Sequence, residues 1–169
     1  MDAQTFRDVM ACLAMPVTVI TALDPAGTPH GATIGSVVSL SVEPPLVMFA
    51  LGRTIRAYRP LREAARFCVS VLGADQQETA ERFTGDPATR FAANVIIEQG
   101  VPAVDGALGW LICDRHTLVD AGDHTVVIGR VRNARRAADN PVGPLLYHER
   151  HYHRVLREPA LQGWTSEVV

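Results

Sequence analysis

Apolar side chains recur at Phe6, Val9, Met10 and Leu13, the spacing of one helix face, so residues 2–13 read as a short helix with Asp2 as its N-cap. Pro16 closes it, and the β-branched run Val17-Thr18-Val19-Ile20-Thr21-Ala22-Leu23 reads as a strand. Asp24-Pro25-Ala26-Gly27 is a turn, because Pro presets φ and Gly accepts a positive one. Residues 28–42 return as a second strand, interrupted by glycine and bent near Gly35. After Pro44-Pro45, residues 46–51 form a continuous apolar run of the kind buried on both faces.

The alternation of short elements continues. Residues 56–65 read as a helix and 67–72 as another buried strand. Asp75 is placed as the N-cap of the next helix, with Glu78 at the capping-box position and Ala80 and Phe83 on its buried side. Residues 85–91 form a polar loop. Strands then dominate, at 96–98, 107–116, 124–134 and 145–155, the last with a loop inside it. Residues 158–169 are a tail, polar apart from Leu161 and Trp164, and no internal repeat or linker interrupts the chain. Six or more strands at hairpin-like spacing predict a mainly β, antiparallel barrel with short peripheral helices. The regular βαβ alternation of a doubly wound sheet is missing, and so is its GxGxxG fingerprint.

Composition narrows the function. A chain of 169 residues fits one domain that buries roughly 70% of its unfolded surface. The net charge of −2 leaves no basic field, so neither nucleic acid nor an anionic membrane is expected as a partner. All 16 basic residues are Arg, which excludes a Lys Schiff base and a P-loop lysine. Cys12, Cys68 and Cys113 are widely spaced with no CxxC pair, and read as reduced thiols in apolar settings. The opening MDAQTFRDVMACLA does not read as a signal peptide, and no apolar run approaches the ~18 residues of a membrane span, so a cytoplasmic location is expected.

The stretch HGATIGSVVSLSVEPPL, residues 30–46, concentrates small residues and hydroxyls between two apolar segments. Gly31 and Gly35 allow close approach of backbone N–H groups to a ligand, while Thr33, Ser36, Ser39 and Ser41 add neutral donors. Such a surface suits a phosphate-bearing ligand, although glycines in a strand also mark barrel bends. Within it, GATIG echoes the GxSxG nucleophile elbow with Thr for Ser, but strand-like SVVSLSV follows where the elbow needs a helix. His151 and His153 share one strand face near His148, yet no CxxC or HExxH completes a ligand set, so no metal site is expected.

Taken in order, PVTVIT, DPAGTPHGATIGS, SLSVEPPLVMFAL, RFCVSVLGADQQETAERF, GDHTVVIGRV and PLLYHERHY closely resemble the flavin reductase family. The resemblance covers roughly residues 5–155, and GDH followed by VIGRV, together with EPPL, is its most specific combination. It implies an FMN-binding split β-barrel of Greek-key type over residues 1–157, followed by the tail. It also implies a homodimer that reduces free FAD or FMN by hydride transfer from NADH, or from NADPH in its place. The reduced flavin then serves a separate monooxygenase.

Carried over residue by residue, the resemblance sets Thr33, Ile34, Gly35 and Ser36 against the flavin ring edge and ribityl chain. Ala50, Leu51, Gly52, Arg53 and Thr54 match the turn that binds the flavin phosphate, with Arg56 a further cation beside it. Phe83 matches a position near the flavin pocket. His124 of GDH falls near the nicotinamide, and Tyr147, Arg150 and Tyr152 match a segment bordering the pyridine nucleotide. No side chain is implied as an acid–base catalyst, since hydride transfer between cofactors needs orientation above all. The chain departs from the common family pattern at Gly35 (often Asn or Ser), Val37 (often Phe) and Ala57 (often Thr or Ser), which weakens specific contacts to the flavin without removing the site and leaves FAD against FMN open. Two other classes remain open at this point: a split-barrel carrier or sensor of flavin or haem, and an oxidase of the pyridoxamine-phosphate type. The GDH segment favours the reductase.

Overall fold

A computed structural model describes residues 1–138 and 142–155. Helix α1 (Ala3–Ala11) starts as expected, with the Asp2 carboxylate accepting hydrogen bonds from the amides of Gln4 and Thr5. It ends at Cys12, earlier than Pro16, and buries none of its residues. Phe6, Val9, Met10 and Leu13 are instead an exposed apolar stripe.

Pro16 belongs to a short strand, β1 (Met15–Pro16), ahead of β2 (Thr18–Leu23). The Asp24 turn closes with the Gly27 amide donating to the Asp24 carbonyl at 2.9 Å, Gly27 standing at φ +82°. β3 (Pro29–Ile34) then breaks at residues 35–37, and β4 (Val38–Ser41) resumes on the other side of the bend. β5 (Leu46–Gly52) alternates, with Val47, Phe49 and Leu51 buried and their neighbours half-buried. The apolar run 46–51 therefore has one core face and not two.

Helix α2 (Tyr58–Glu63) and strand β6 (Arg66–Val71) lead to α3 (Gln77–Thr84). The expected Asp75 cap does not form. The residue before α3 is Gln76, whose side chain accepts from the Gly73 amide at 3.0 Å and donates to the Asp105 carbonyl at 2.8 Å. The remaining strands are β7 (Val95–Glu98), β8 (Val101–Val104), β9 (Gly109–Ala121), β10 (His124–Arg136), β11 (Leu145–His148) and β12 (His151–Arg154). β8, hidden in sequence by Pro102, is buried throughout and pairs with β7.

The main sheet has seven antiparallel strands in the order β3-β2-β6-β9-β10-β5-β4. Its two edge strands, β3 and β4, are joined only through residues 35–37. From Ile34 to Val38 an extended chain reaches about 14 Å, so the sheet must curl until its edges approach. The Ser36 hydroxyl accepts from the Ala50 amide at 2.9 Å and ties that link to β5. Inside the curl Phe49 and Phe67 meet edge to face at 5.4 Å, while Phe83, Leu72 and Trp110 centre a second core. Cys68 and Cys113 are buried, and burial pushes both thiols up to about 12. Cys12 is exposed, contrary to the apolar setting expected of all three. The tail at 158–169 lies outside the described residues.

Candidate functional site

The bend at residues 35–37, the turn after β5 and the loop after α3 converge on a cavity of about 900 Å³. That is the size of a small-molecule or cofactor site. Ala32, Thr33, Ile34, Gly35 and Ser36 form one wall. Ala50, Gly52, Thr54, Ile55 and Arg56 form another. Phe83, Thr84, Gly85, Asp86 and Arg90 make the third, and His124 closes the gap beside Gly52. Eight residues that the resemblance attaches to flavin thus come together from three separate stretches of chain.

Two others do not join them. Leu51 is fully buried in the core, because strand alternation sends it away from the face of Ala50 and Gly52. Arg53 turns outward, its guanidinium 3.1 Å from the Asp120 carboxylate and its amide donating to the Asp123 carbonyl at 3.0 Å. Gly31 is also displaced from its expected role. It is buried, and a β-carbon there would stand 2.7 Å from Cε1 of Phe83 and 3.0 Å from the Ile20 carbonyl. Its smallness lets Phe83 approach β3 and serves no ligand directly. Ser39 and Ser41, on β4, lie outside the cavity.

The polar groups of the cavity divide by whether they are already engaged. Thr33 Oγ1 donates to the Ala80 carbonyl at 2.7 Å and fastens β3 to α3. Thr54 Oγ1 and the Arg56 guanidinium have no hydrogen-bond partner among the described residues and face the open space. Arg90 was not foreseen, since the loop carrying it reads as polar and solvated. It is nevertheless buried, while every residue of 84–89 is exposed. The signal that could have found it is Phe91, which packs edge to face on Phe83 at 5.2 Å and draws the end of the loop inward.

A second cavity of about 780 Å³ adjoins the first, sharing Thr33, Gly35 and Thr84 with it. Tyr147, Arg150 and Tyr152 line it together with Met15, Gln77 and Glu81. Tyr147 and Tyr152 pack edge to face at 5.2 Å. Glu149 and Arg150, at φ +48° and +65°, form the two-residue turn between β11 and β12. That turn is held by α1, through the Arg150–Asp8 ion pair and the Glu149 amide on the Ala11 carbonyl at 2.9 Å. His124, expected beside these residues, lines the first cavity and not the second. Its Nδ1 lies 2.7 Å from the Asp123 carboxylate, which the imidazole holds below the usual carboxylate range.

The family model described as "Flavin reductase like domain" matches residues 10–156. The chain belongs to this family. It is 44% identical over 153 residues to an NADH:riboflavin 5'-phosphate oxidoreductase of Streptomyces pristinaespiralis, covering 89% of this chain and 86% of the relative. It is 35% identical over 153 residues to the reductase subunit of a flavin-dependent monooxygenase from Rhodococcus jostii, covering 89% of this chain and 77% of the relative. Among solved structures, the NADH:FAD oxidoreductase of Streptomyces globisporus C-1027, in complex with NAD and FAD fragments, superposes with a TM-score of 0.84 at 30% identity. That likeness covers 92% of this chain and 93% of the other. The protein is accordingly a mainly β oxidoreductase of the flavin reductase type. No helix among the described residues is long and apolar enough to cross a membrane.

Proposed function

We propose that the protein oxidises NADH and reduces a free flavin nucleotide, FMN or FAD, which then leaves to serve a separate monooxygenase. The observation that carries this reading is the junction of two cavities at Thr33, Gly35 and Thr84. A flavin in the larger one and a nicotinamide nucleotide in the other bring their rings together at that junction. The larger cavity fits the flavin on its own chemistry. Ile34, Ile55 and Phe83 supply apolar surface for a flat ring, and Thr54 and Arg56 are donors without partners at one end.

When bound, the flavin accepts a hydride from the nicotinamide ring. The protein's part is to hold the two rings at reacting distance, which can account for much of the rate. Thr33 keeps the wall at the junction rigid through its bond to α3, and the Gly35 backbone leaves room for a ring to lie against it. Tyr147 and Tyr152 give the nicotinamide nucleotide an aromatic flank. Arg150 is neutralised by Asp8, so it sets the hairpin in place and is a weak candidate for a nucleotide contact. His124 belongs on the flavin side.

In this reading residues 1–157 work as one domain, the protein is a homodimer, and its reduced, unpaired cysteines suit the cytoplasm. The deciding assay mixes the protein with NADH and a large excess of FMN or FAD and follows the NADH absorbance. Many turnovers per chain are expected. Stoichiometric flavin binding without NADH consumption would instead make the protein a carrier.

A further inference from the structure

One face of α3 forms a wall of the second cavity. Gln77, Glu81 and Thr84 line it at i, i+4 and i+7, and Thr84 stands at the junction with the larger cavity. At a rise of ~1.5 Å per residue, Glu81 lies about 4.5 Å along the helix from Thr84. Its backbone is fixed there, the carbonyl accepting from Thr84 Oγ1 at 2.7 Å and from the Gly85 amide at 3.0 Å. Its Oε1 accepts from Gln77 Nε2 at 2.8 Å, and the other carboxylate oxygen has no partner among the described residues. Burial raises the Tyr152 phenol above its ordinary value and the Glu81 charge adds to the rise, which puts the carboxylate near the aromatic flank of the cavity. The cations around it are already engaged. Arg150 is paired with Asp8. His151 Nδ1 donates to the Glu149 carbonyl at 2.7 Å, so Nε2 of the neutral ring is an acceptor. Among the described residues lining this cavity, Glu81 is the one charge without a counter-ion.

We infer that Glu81 selects NADH over NADPH: its free carboxylate oxygen accepts a ribose hydroxyl and repels the 2′-phosphate that NADPH carries in place of one. The inference rests on the reductase reading and deepens it. The diphosphate is common to both nucleotides and cancels from the comparison. The 2′-phosphate adds a charge of roughly −1.5 to −2 near neutral pH. In the second cavity that charge meets a carboxylate and no unpaired cation among the described residues. Discrimination then comes from an unfavourable charge set against the wrong substrate. In doubly wound dinucleotide folds a carboxylate likewise takes the ribose hydroxyl, and an arginine nearby accommodates the 2′-phosphate. Here the carboxylate is offered by a helix beside an antiparallel sheet, with Gln77 orienting it.

The test measures kcat and KM for NADH and for NADPH, with FMN in excess, in the wild type, Glu81→Gln and Glu81→Arg. Both nucleotides are also titrated into the purified full chain before flavin is added, following their own fluorescence. The wild type is expected to prefer NADH at least about tenfold in kcat/KM, with the difference in KM and in direct affinity and not in kcat. Glu81→Gln keeps the shape and removes the charge, so the preference should fall to within about threefold, chiefly through a lower KM for NADPH. Glu81→Arg should turn the preference toward NADPH. Should that variant fold poorly, Glu81→Gln decides the question. Glu78→Gln removes the same charge from an exposed position of α3 that lines neither cavity, and should keep the wild-type ratio. Equal use of both nucleotides by the wild type overturns the inference and leaves the reductase reading standing. So does a Glu81→Gln variant with the wild-type ratio, or a Glu78→Gln variant that relaxes it as much. If the wild type oxidises neither nucleotide with FMN or FAD present, the reductase reading has failed and the inference with it.

Discussion

Gly52 and His124 face each other where β5 pairs with β10, and a β-carbon on Gly52 would stand 3.4 Å from the His124 Nε2. The imidazole thus occupies the space beside a residue that has no side chain, with Nδ1 anchored on Asp123 and the opposite edge turned to the cavity. This geometry places His124 in the wall of the larger cavity and not the smaller, and in the proposed reading that is the flavin side. His124→Ala is expected to weaken flavin binding several-fold, the loss of about one neutral hydrogen bond at 0.5–1.5 kcal/mol. The KM for NADH at saturating flavin should stay within about twofold. A raised KM for NADH with unchanged flavin affinity would return His124 to the nicotinamide.

Gly31 answers a different question. A methyl group there meets Phe83 at 2.7 Å and the Ile20 carbonyl at 3.0 Å, and one of those two neighbours is backbone that cannot step aside. Gly31→Ala should therefore cost about 1–3 kcal/mol through overpacking. For a chain of this length that is a fall in melting temperature of roughly 2–12 °C. A melting temperature unchanged within a degree would mean that Phe83 repacks freely.

The sequence made the strand framework legible because its signals are local. The Asp24 turn, the break near Gly35 and the Asp2 cap each depend on residues within a few positions. The cavity walls were legible through the resemblance, which named Thr33, Gly52, Thr54 and Phe83 across three stretches. What stayed hidden depends on distant packing. The orientation of Leu51 follows from which face of β5 meets Phe67, and the outward swing of Arg53 from Asp120 on the far side of a hairpin. Arg90 was invisible because a polar loop gives no periodicity, and only Phe91 docking on Phe83 draws it inward.

Asp114 links three strands, standing 3.0 Å from Arg66 on β6 and 2.6 Å from Arg132 on β10. Their hydrogen bonds hold its carboxyl below 3.8, its ordinary value. The folded protein therefore takes up this proton less readily than the unfolded chain. The stabilisation is present above pH 3.8 and fades as the pH falls below it. At neutral pH Asp114→Asn should cost about 1 kcal/mol, the upper range for partly exposed pairs. The difference between variant and wild type, measured by urea unfolding, should shrink as the pH approaches 3. An effect that is constant down to that pH would mean the side chain acts by shape and not by charge.

The thiols differ in exposure, and that is directly measurable. Cys68 and Cys113 are buried with thiols pushed up to about 12, whereas Cys12 is exposed at the end of α1. The thiolate is the reactive form, so the native protein should label once per chain with a disulfide reagent at neutral pH. All three cysteines should react after unfolding. Cys12→Ser should abolish the native reaction. Rapid native labelling at more than one site would show that the core around Cys68 and Cys113 opens.

The apolar stripe of α1 carries the last expectation. Phe6, Val9, Met10 and Leu13 are 51%, 64%, 40% and 53% exposed, and no residue of the helix is fully buried. The Asp8–Arg150 pair and the Glu149 amide hold it in a fixed pose with that stripe outward. An ordered apolar helix face of this kind is costly to leave in water, and a second copy of the chain would cover it in a closed two-fold arrangement. Light scattering at micromolar concentration should give twice the 18.3 kDa of a single chain. Replacing Phe6 and Val9 together with Ser should shift the mass toward the monomer without changing the melting of the β core, since neither side chain is buried in it. If the wild type already runs as a monomer, the stripe has another role and the homodimer is wrong. If the double variant stays dimeric, the subunits meet through a different face.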